Sequence, residues 1–309
     1  MATRGPAESG DNRGDASNHP ATEVAGVTVQ SYFLPTSVPE ALSLLGAHGP
    51  ELLVIAGGTI AMPAINEGVL LPSEVMGLRR AGLDRVERVG DELHLGATAT
   101  LSAAARQSDV PLLRTAALRT AAWGVRNMAT VGGNLFTPSP GGDVATALLA
   151  LDARVVITGT GGPRIVPIAE FWTGWLSTVV APDELVTSIV VPVARCPEVF
   201  VKFGRRHANT LSVVTVAARA TLDGGTASDV RIALGASGPH PLRARRAEAA
   251  LEGRPIDDAR IAEAADAAVA DCEPLTDAVA TSDYRRRMVG VFVRRALGEL
   301  AGGATGREG

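Results

Sequence analysis

Two loops built on paired glycines constrain the fold of this chain more than any other feature. Gly57-Gly58 follows the apolar run Leu52–Ile55 after one residue, Ala56, and Gly132-Gly133 lies 75 residues further along. Glycine adopts a positive φ without strain and lets the backbone approach a ligand closely. Consecutive N–H groups in such turns form an anion site. The two loops therefore predict a clamp for the two phosphates of a dinucleotide.

Neither loop has the spacing of a standard nucleotide-binding motif. The G-x-G-x-x-G pattern of Rossmann domains and the G-x-x-x-x-G-K-[ST] phosphate loop are both missing here. In a chain with 34 glycines, pairs also arise by chance, and others occur at 141–142, 161–162, 224–225 and 302–303. A purely structural turn therefore stays the alternative for each pair.

The apolar periodicity predicts a mixed α+β chain with a boundary near residues 192–197. Ser37 with Glu40 three residues later forms a capping-box pattern that starts the first helix. Thr98 or Thr100 caps a helical region that continues to Trp123, and a glycine-rich stretch, 124–143, follows it. Strands are expected at 52–55, 92–95, 153–158, 164–168, 184–191, 199–206, 211–222 and 229–235, and further helices at 144–151, 257–271 and 282–299.

Charge and composition exclude several classes of function. The 29 basic and 33 acidic residues give a net charge of −4, which removes the electrostatic case for binding nucleic acid or an anionic membrane. No apolar run reaches the roughly 18 residues of a membrane-spanning helix. Two cysteines, Cys196 and Cys272, are too few for an iron–sulfur cluster or a structural zinc site. Redox chemistry must therefore use a bound organic cofactor, and the two thiols favour a reducing, cytoplasmic location.

The second glycine pair belongs to a longer motif that resembles a known family. Residues 126–135, 138–143 and 147–153 are similar to the FAD-binding medium subunit of the molybdenum hydroxylases, the family of xanthine dehydrogenase and carbon monoxide dehydrogenase. The resemblance covers about residues 28–300 in the same order. It continues at 56–59, 96–98, 171–174, 184–189, 202–206, 231–235, 241–244 and 284–287.

The resemblance implies an α+β architecture of the vanillyl-alcohol-oxidase type, in which two small subdomains hold an extended FAD between them. It places the FAD-binding domain at 28–195, with subdomains at about 28–81 and 82–195, and a smaller α+β C-terminal domain at 198–302. Residues 1–27 are rich in Gly, Ala, Ser, Asn, Asp and Pro and are expected to be a disordered leader, with a short tail at 303–309.

The resemblance also implies which residues bind FAD, without a covalent link. Both glycine loops are expected at the pyrophosphate, Asp143 at the ribose or adenine side, Thr120 beside FAD, and Val186 and Lys202 near the flavin ring. The full set is Val54, Ile55, Ala56, Gly57, Gly58, Thr59, Ile60, Ala61, Thr120, Thr130, Val131, Gly132, Gly133, Asn134, Asp143, Val186 and Lys202.

Several residues in the motif allow more than one role. Asp143 could accept sugar hydroxyls or cap the helix that begins at Val144. Arg126 could position a phosphate or pair with a neighbouring carboxylate. The family often carries an aromatic side chain near the flavin ring, and Phe200 or Phe203 would have to supply it here.

The function implied by the resemblance is electron transfer within a larger complex. A large molybdopterin-binding subunit oxidises the substrate, a small subunit with [2Fe–2S] clusters carries the electrons, and FAD on this chain delivers them to NAD, a quinone, a carrier protein or oxygen. A heterotrimer or a dimer of heterotrimers is expected. Two alternatives stay open: a self-contained flavin oxidase of the same fold, and an interaction subunit that has lost FAD.

An arginine-rich segment closes the C-terminal domain. Arg285, Arg286, Arg287, Arg294 and Arg295 lie among apolar residues at helical spacing, which predicts an amphipathic helix with the arginines mostly outside. Such a charged face is either simply solvated or used for docking a partner.

Overall fold

The computed structural model describes residues 29–137, 141–206 and 209–305. Within these ranges helices and strands are mixed along the chain, and the strands form three main sheets and one small hairpin. The expected α+β class is therefore confirmed. The predicted leader lies outside the described residues, as do residues 306–309 of the predicted tail. The last helix extends to Thr305.

The first sheet is parallel and carries the first glycine loop. Its elements are β1 (Ser31–Phe33), α1 (Val38–His48), β2 (Leu52–Ile55), α2 (Ala61–Asn66) and β3 (Glu74–Gly77). The strand order is β1-β3-β2. Ser37 caps α1 as predicted, because its hydroxyl accepts the N–H of Glu40 at 3.3 Å. The Glu40 carboxylate accepts the N–H of Thr36 at 2.7 Å, one residue before the position that the capping box implies.

The second sheet is antiparallel, and its order is β4-β5-β10-β6-β7, counting strands along the chain. Apolar side chains of its central strands, Leu95, Ile157 and Ile189, are fully buried in the core beneath it. The strands are β4 (Val86–Val89), β5 (Glu92–Gly96), β6 (Arg154–Gly159), β7 (Gly162–Pro167) and β10 (Leu185–Pro192), with the hairpin β8 (Trp172–Gly174) and β9 (Ser177–Thr178) before β10.

Helices fill the long connection between β5 and β6. Thr100, not Thr98, caps the first of them and accepts the N–H of Ala103 at 3.1 Å. The helical region does not run unbroken to Trp123, because Thr120 ends one helix and Trp123 begins another. The helices are α3 (Leu101–Gln107), α4 (Pro111–Arg119), α5 (Trp123–Arg126), α6 (Val131–Leu135) and α7 (Asp143–Ala150).

The third sheet and three helices form the C-terminal part of the chain. Its main strands pair antiparallel in the order β11-β12-β13-β14, and β15 pairs with β13. The elements are β11 (Glu198–Gly204), β12 (Ser212–Asp223), β13 (Thr226–Gly235), β14 (Leu242–Arg243), α8 (Arg245–Leu251), β15 (Arg254–Pro255), α9 (Asp258–Asp271) and α10 (Ser282–Thr305).

Helix α7 is bound at both ends to the third sheet, and every one of its residues is buried. At its start, Asp143 contacts Lys202 and Ser212. At its end, the carbonyl of Ala150 accepts from the Arg219 guanidinium at 2.9 Å. Just beyond, Asp152 forms ion pairs with Arg219, Arg231 and Arg243 of the third sheet. The C-terminal part therefore fixes the position of a helix that lies under the second sheet.

The predicted arginine face on α10 is correct except at one position. Arg286, Arg287, Arg294 and Arg295 are exposed, but Arg285 is 2% exposed. Its Nη1 donates to the carbonyls of Ser212 and Val213, and its Nη2 donates to both carboxylate oxygens of Asp277 at 2.7 and 2.8 Å. Arg285 therefore anchors α10 to β12 and is not available for docking.

We expect Arg285→Met to destabilise the protein by about 1–3 kcal/mol, because it leaves the buried carbonyls of Ser212 and Val213 without their donor. Arg286→Met, one residue further on the exposed face, should change stability by less than about 0.5 kcal/mol. Urea unfolding followed by circular dichroism measures both. Equal stability of the two variants would contradict the anchoring role.

Candidate functional site

One large cavity collects the residues that the sequence singled out. Its volume is about 920 Å³, and its walls come from the first sheet, the second sheet with its helices, and the third sheet. Every residue of the predicted FAD set lines this cavity except Val131, whose side chain is buried in the core below. Residues far apart in the chain, such as Gly58, Asp143 and Lys202, therefore share one site.

The first glycine loop has the geometry that the sequence predicts. It leaves the carboxyl end of β2, and Gly58 adopts φ +70°. A Cβ atom on Gly57 would lie 2.0 Å from the carbonyl oxygen of Met128, so only glycine fits where this loop meets the second one. Within the described part of the chain, the N–H groups of Gly57, Gly58 and Thr59 have no hydrogen-bond acceptor. These three donors are free for an anion.

The second glycine loop works differently from the prediction. Neither Gly132 nor Gly133 has a positive φ, because both lie in the short helix α6. The N–H of Gly132 donates to the Ala97 carbonyl at 2.9 Å, and that of Gly133 to the Thr130 hydroxyl at 3.0 Å. The expected cradle of free N–H groups is therefore absent at this pair.

Close packing explains the glycines of the second loop. A Cβ on Gly132 would lie 2.7 Å from the Ala97 carbonyl oxygen, and a Cβ on Gly133 would lie 2.8 Å from the Thr130 hydroxyl that caps α6. Gly132 lets α6 pack closely against Ala97, just after β5, and both glycines leave the cavity wall free of side chains. Their contribution is space for a ligand, whereas the first loop contributes donors.

A buried ion pair closes the other side of the cavity. Lys202 Nζ lies 2.5 Å from Asp143 Oδ2, and both side chains are less than a tenth exposed. Asp143 Oδ1 accepts from the Ser212 hydroxyl at 2.7 Å, and Lys202 also donates to the Arg119 carbonyl at 3.1 Å. An ammonium group has three donors, so Lys202 keeps one for a ligand. It is the one cation among the described residues that line the cavity.

Asp143 does not cap its helix. Helix α7 starts at Asp143 itself, and its cap residue is Gly142, which has no side chain to accept a bond. The capping alternative is therefore wrong. Burial raises the pKa of the Asp143 carboxyl above its ordinary value, while the charge of Lys202 and hydrogen bonds from Lys202 and Ser212 oppose that rise.

The expected aromatic side chains are not at the cavity. Phe203 stacks on Phe292 of α10 at 4.7 Å, and Phe200 packs against the core of the second sheet. Neither side chain lines the cavity. Side chains alternate along β11, so Phe203 lies on the face opposite Lys202, while Phe200 shares the face of Lys202 but contacts the core instead. Among the described residues, the aromatic side chain that lines it is that of Phe136, just after the second loop.

Other lining residues carried no sequence signal. The segment 209–212 contributes from the third sheet, and Leu45, Pro50 and Leu78 contribute from the first. These are ordinary loop and core residues whose place at the cavity depends on how the three sheets meet. Proximity to a recognised motif could have indicated Ala97, Thr98 and Phe136, but nothing local marks the rest.

Metal-binding clusters are missing from the described ranges, where no group of three His, Cys, Asp or Glu side chains could hold an ion. Neither does any helix in those ranges have the length and apolarity needed to cross a membrane.

Two family models together match most of the chain. Residues 26–194 match the FAD binding domain in molybdopterin dehydrogenase, and residues 199–300 match the CO dehydrogenase flavoprotein C-terminal domain. The chain belongs to the FAD-binding medium subunits of the molybdenum hydroxylases. It is an oxidoreductase subunit with FAD as its cofactor, so the resemblance inferred from the sequence is confirmed.

Individual relatives match over nearly their full length. The carbon monoxide dehydrogenase medium chain of Hydrogenophaga pseudoflava is 31% identical over 272 residues, 86% of this chain and 95% of the relative. The solved carbon monoxide dehydrogenase of that organism gives a TM-score of 0.84 at 32% identity and covers 88% and 97% of the two chains. Quinoline 2-oxidoreductase from Pseudomonas putida 86 gives 0.83 at 28% identity, with 90% and 98% covered.

The residues present fit FAD. The cavity is large enough for an extended cofactor. The free N–H groups of Gly57, Gly58 and Thr59 suit a pyrophosphate, and the spare donor of Lys202 suits a polar atom of the same ligand. The Gly57 backbone lies close against the Met128 carbonyl, so the cavity wall has no gap behind these donors.

We expect Gly57→Ala to lower the FAD content of the purified protein and to weaken FAD binding by about tenfold or more, because the added methyl group forces the two loops apart. Gly124→Ala is the matched control, since a Cβ there meets nothing within 4 Å. The ratio of flavin to protein absorbance and a titration of the FAD-free protein measure the effect. Normal flavin content in Gly57→Ala would contradict this account of the first loop.

Proposed function

We propose that this chain holds FAD in the cavity between the glycine loops and the Lys202–Asp143 pair, and uses it to carry electrons from [2Fe–2S] clusters on a partner subunit to a final acceptor. The observation that carries the proposal is the single cavity that unites all but one of the predicted residues. The acceptor is NAD, a quinone, a carrier protein or oxygen.

When bound, FAD supplies the electron-transfer chemistry, and the chain supplies binding and orientation. The free N–H groups of Gly57, Gly58 and Thr59 hold the pyrophosphate. The Lys202 ammonium, paired with Asp143, donates its remaining hydrogen bond to the ligand. Gly132 and Gly133 leave room on the opposite wall. Asp143 orients Lys202 and offers its remaining lone pairs to the sugar.

The proposed complex has a large molybdopterin-binding subunit and a small [2Fe–2S] subunit, assembled as a heterotrimer or a dimer of heterotrimers. Curated relatives bear names such as medium chain and medium subunit, which belong to complexes of several chains. This chain has only two cysteines, both free, so it cannot hold the clusters itself. A cytoplasmic location is part of the proposal, because free thiols suit a reducing compartment.

We expect the flavin to be bound without a covalent link. The described cavity-lining residues include no histidine or cysteine that could form one. Acid precipitation should therefore release nearly all of the yellow colour as FAD into the supernatant. Colour that stays with the precipitated chain would contradict this expectation.

A second expectation separates the subunit from a self-contained oxidase. The isolated FAD-bound chain should keep its oxidised flavin spectrum when alcohols, aldehydes or N-heterocycles are added. Co-expressed and purified with its molybdopterin and iron–sulfur partners, the same chain should bleach with the substrate of the complex. Direct bleaching of the isolated chain would favour the oxidase, and a colourless chain that cannot bind FAD would favour the interaction subunit.

A further inference from the structure

The backbone at the end of α4 forms one wall of the cavity in a conformation that alanine rarely adopts. Ala121 has φ +48°, within the left-handed region. There its Cβ comes too close to the following carbonyl oxygen, which strains the backbone. Thr120 and Ala121 both line the cavity, so the strained turn is part of the surface that a ligand meets.

Arg126 holds this turn in place. Its Nη1 donates to the Thr120 carbonyl at 3.0 Å and to the Ala121 carbonyl at 2.6 Å. One guanidinium nitrogen carries two hydrogens, so both carbonyls are satisfied at once. Helix α5 begins directly after the turn and brings Arg126 back beneath it. Neither hypothesis from the sequence, a phosphate contact or a carboxylate partner, describes these bonds.

Arg119 and Thr120, at the start of this turn, make further hydrogen bonds. The Arg119 carbonyl accepts from Lys202, and the Thr120 hydroxyl donates to the Ala116 carbonyl at 2.8 Å. Carbonyls at the end of a helix carry partial negative charge. Between them, Lys202 and Arg126 bind three successive carbonyls that would otherwise oppose an anionic ligand.

We propose that Arg126 is a positioning residue for FAD, which shapes the cavity wall through the turn at Thr120 and Ala121 and does not bind the phosphates. Arg126 is not among the described residues that line the cavity, and its Nη1 is already occupied by the two carbonyls. The proposal rests on FAD occupying this cavity, as proposed above.

A double-variant comparison tests the idea. Arg126→Met removes both donors, so Ala121 relaxes towards negative φ and the wall shifts. FAD binding should then weaken about tenfold, in keeping with the strain of a left-handed alanine. Glycine adopts positive φ without that strain. In the Ala121→Gly background, Arg126→Met should therefore weaken FAD binding by less than about threefold.

The measurements are FAD titrations of the FAD-free proteins by flavin fluorescence, and the visible circular dichroism of the bound flavin. The dichroism should change in Arg126→Met and return in the double variant. Arg114→Met, at an exposed arginine on the neighbouring helix α4, controls for the lost charge. If Arg126→Met does not fold, Arg126→Gln in the two backgrounds gives the same comparison.

Equal loss of affinity in the alanine and glycine backgrounds would overturn the proposal, because a direct phosphate contact cannot be rescued by Ala121→Gly. Unchanged affinity in Arg126→Met would overturn it as well. A parent protein that binds no FAD at all would instead refute the proposed function, so the two failures are distinguishable.

Discussion

The rest of the structure depends on the packing of the third sheet against the helices beneath the second sheet. The buried Lys202–Asp143 ion pair lies at the centre of this contact. A buried carboxylate is unfavourable without a partner, so Asp143 holds Lys202 and Ser212 against the start of α7. The ion pairs of Asp152 do the same at the other end of the helix. The C-terminal part of the chain thus completes a site that the rest of the chain begins.

A second helix is held in the same manner. Glu198, at the start of β11, accepts the N–H of Leu112 at the start of α4 at 2.8 Å. Lys202, four residues along the same strand, binds the Arg119 carbonyl at the end of that helix. Helix α4 therefore lies along β11 with a charged side chain at each end. The turn at Thr120 and Ala121, directly after its end, forms the strained wall of the cavity, so the helix holds that wall in place.

The two glycine loops show how one sequence pattern serves two physical needs. Gly58 needs its positive φ, and the loop around it offers free N–H groups. Gly132 and Gly133 have ordinary φ values, and they are glycine because a carbonyl and a hydroxyl lie where their Cβ atoms would be. Pattern alone could indicate that both loops meet at a ligand, but it could not separate conformational freedom from close packing.

The sequence by itself determined the class of fold, most helices and strands, the family and the cofactor. The helices and strands follow from apolar periodicity and from local motifs such as the capping of α1, which depend on neighbouring residues. The family and the cofactor follow from the resemblance of the motif around the second glycine loop to a known family. It missed several strands, among them the short β1 and β3 of the first sheet and β4, a mostly exposed edge strand without apolar alternation. The limits of the subdomains and the role of each FAD residue stay predictions.

Only the tertiary structure decided which side chains face the cavity and which partners they have. It turned Lys202 towards the cavity and Phe203 into the C-terminal core, buried Arg285, and gave Arg126 two backbone carbonyls. Each outcome depends on contacts between residues distant in the chain. Such contacts form only where the sheets meet, and no local pattern of residues encodes them.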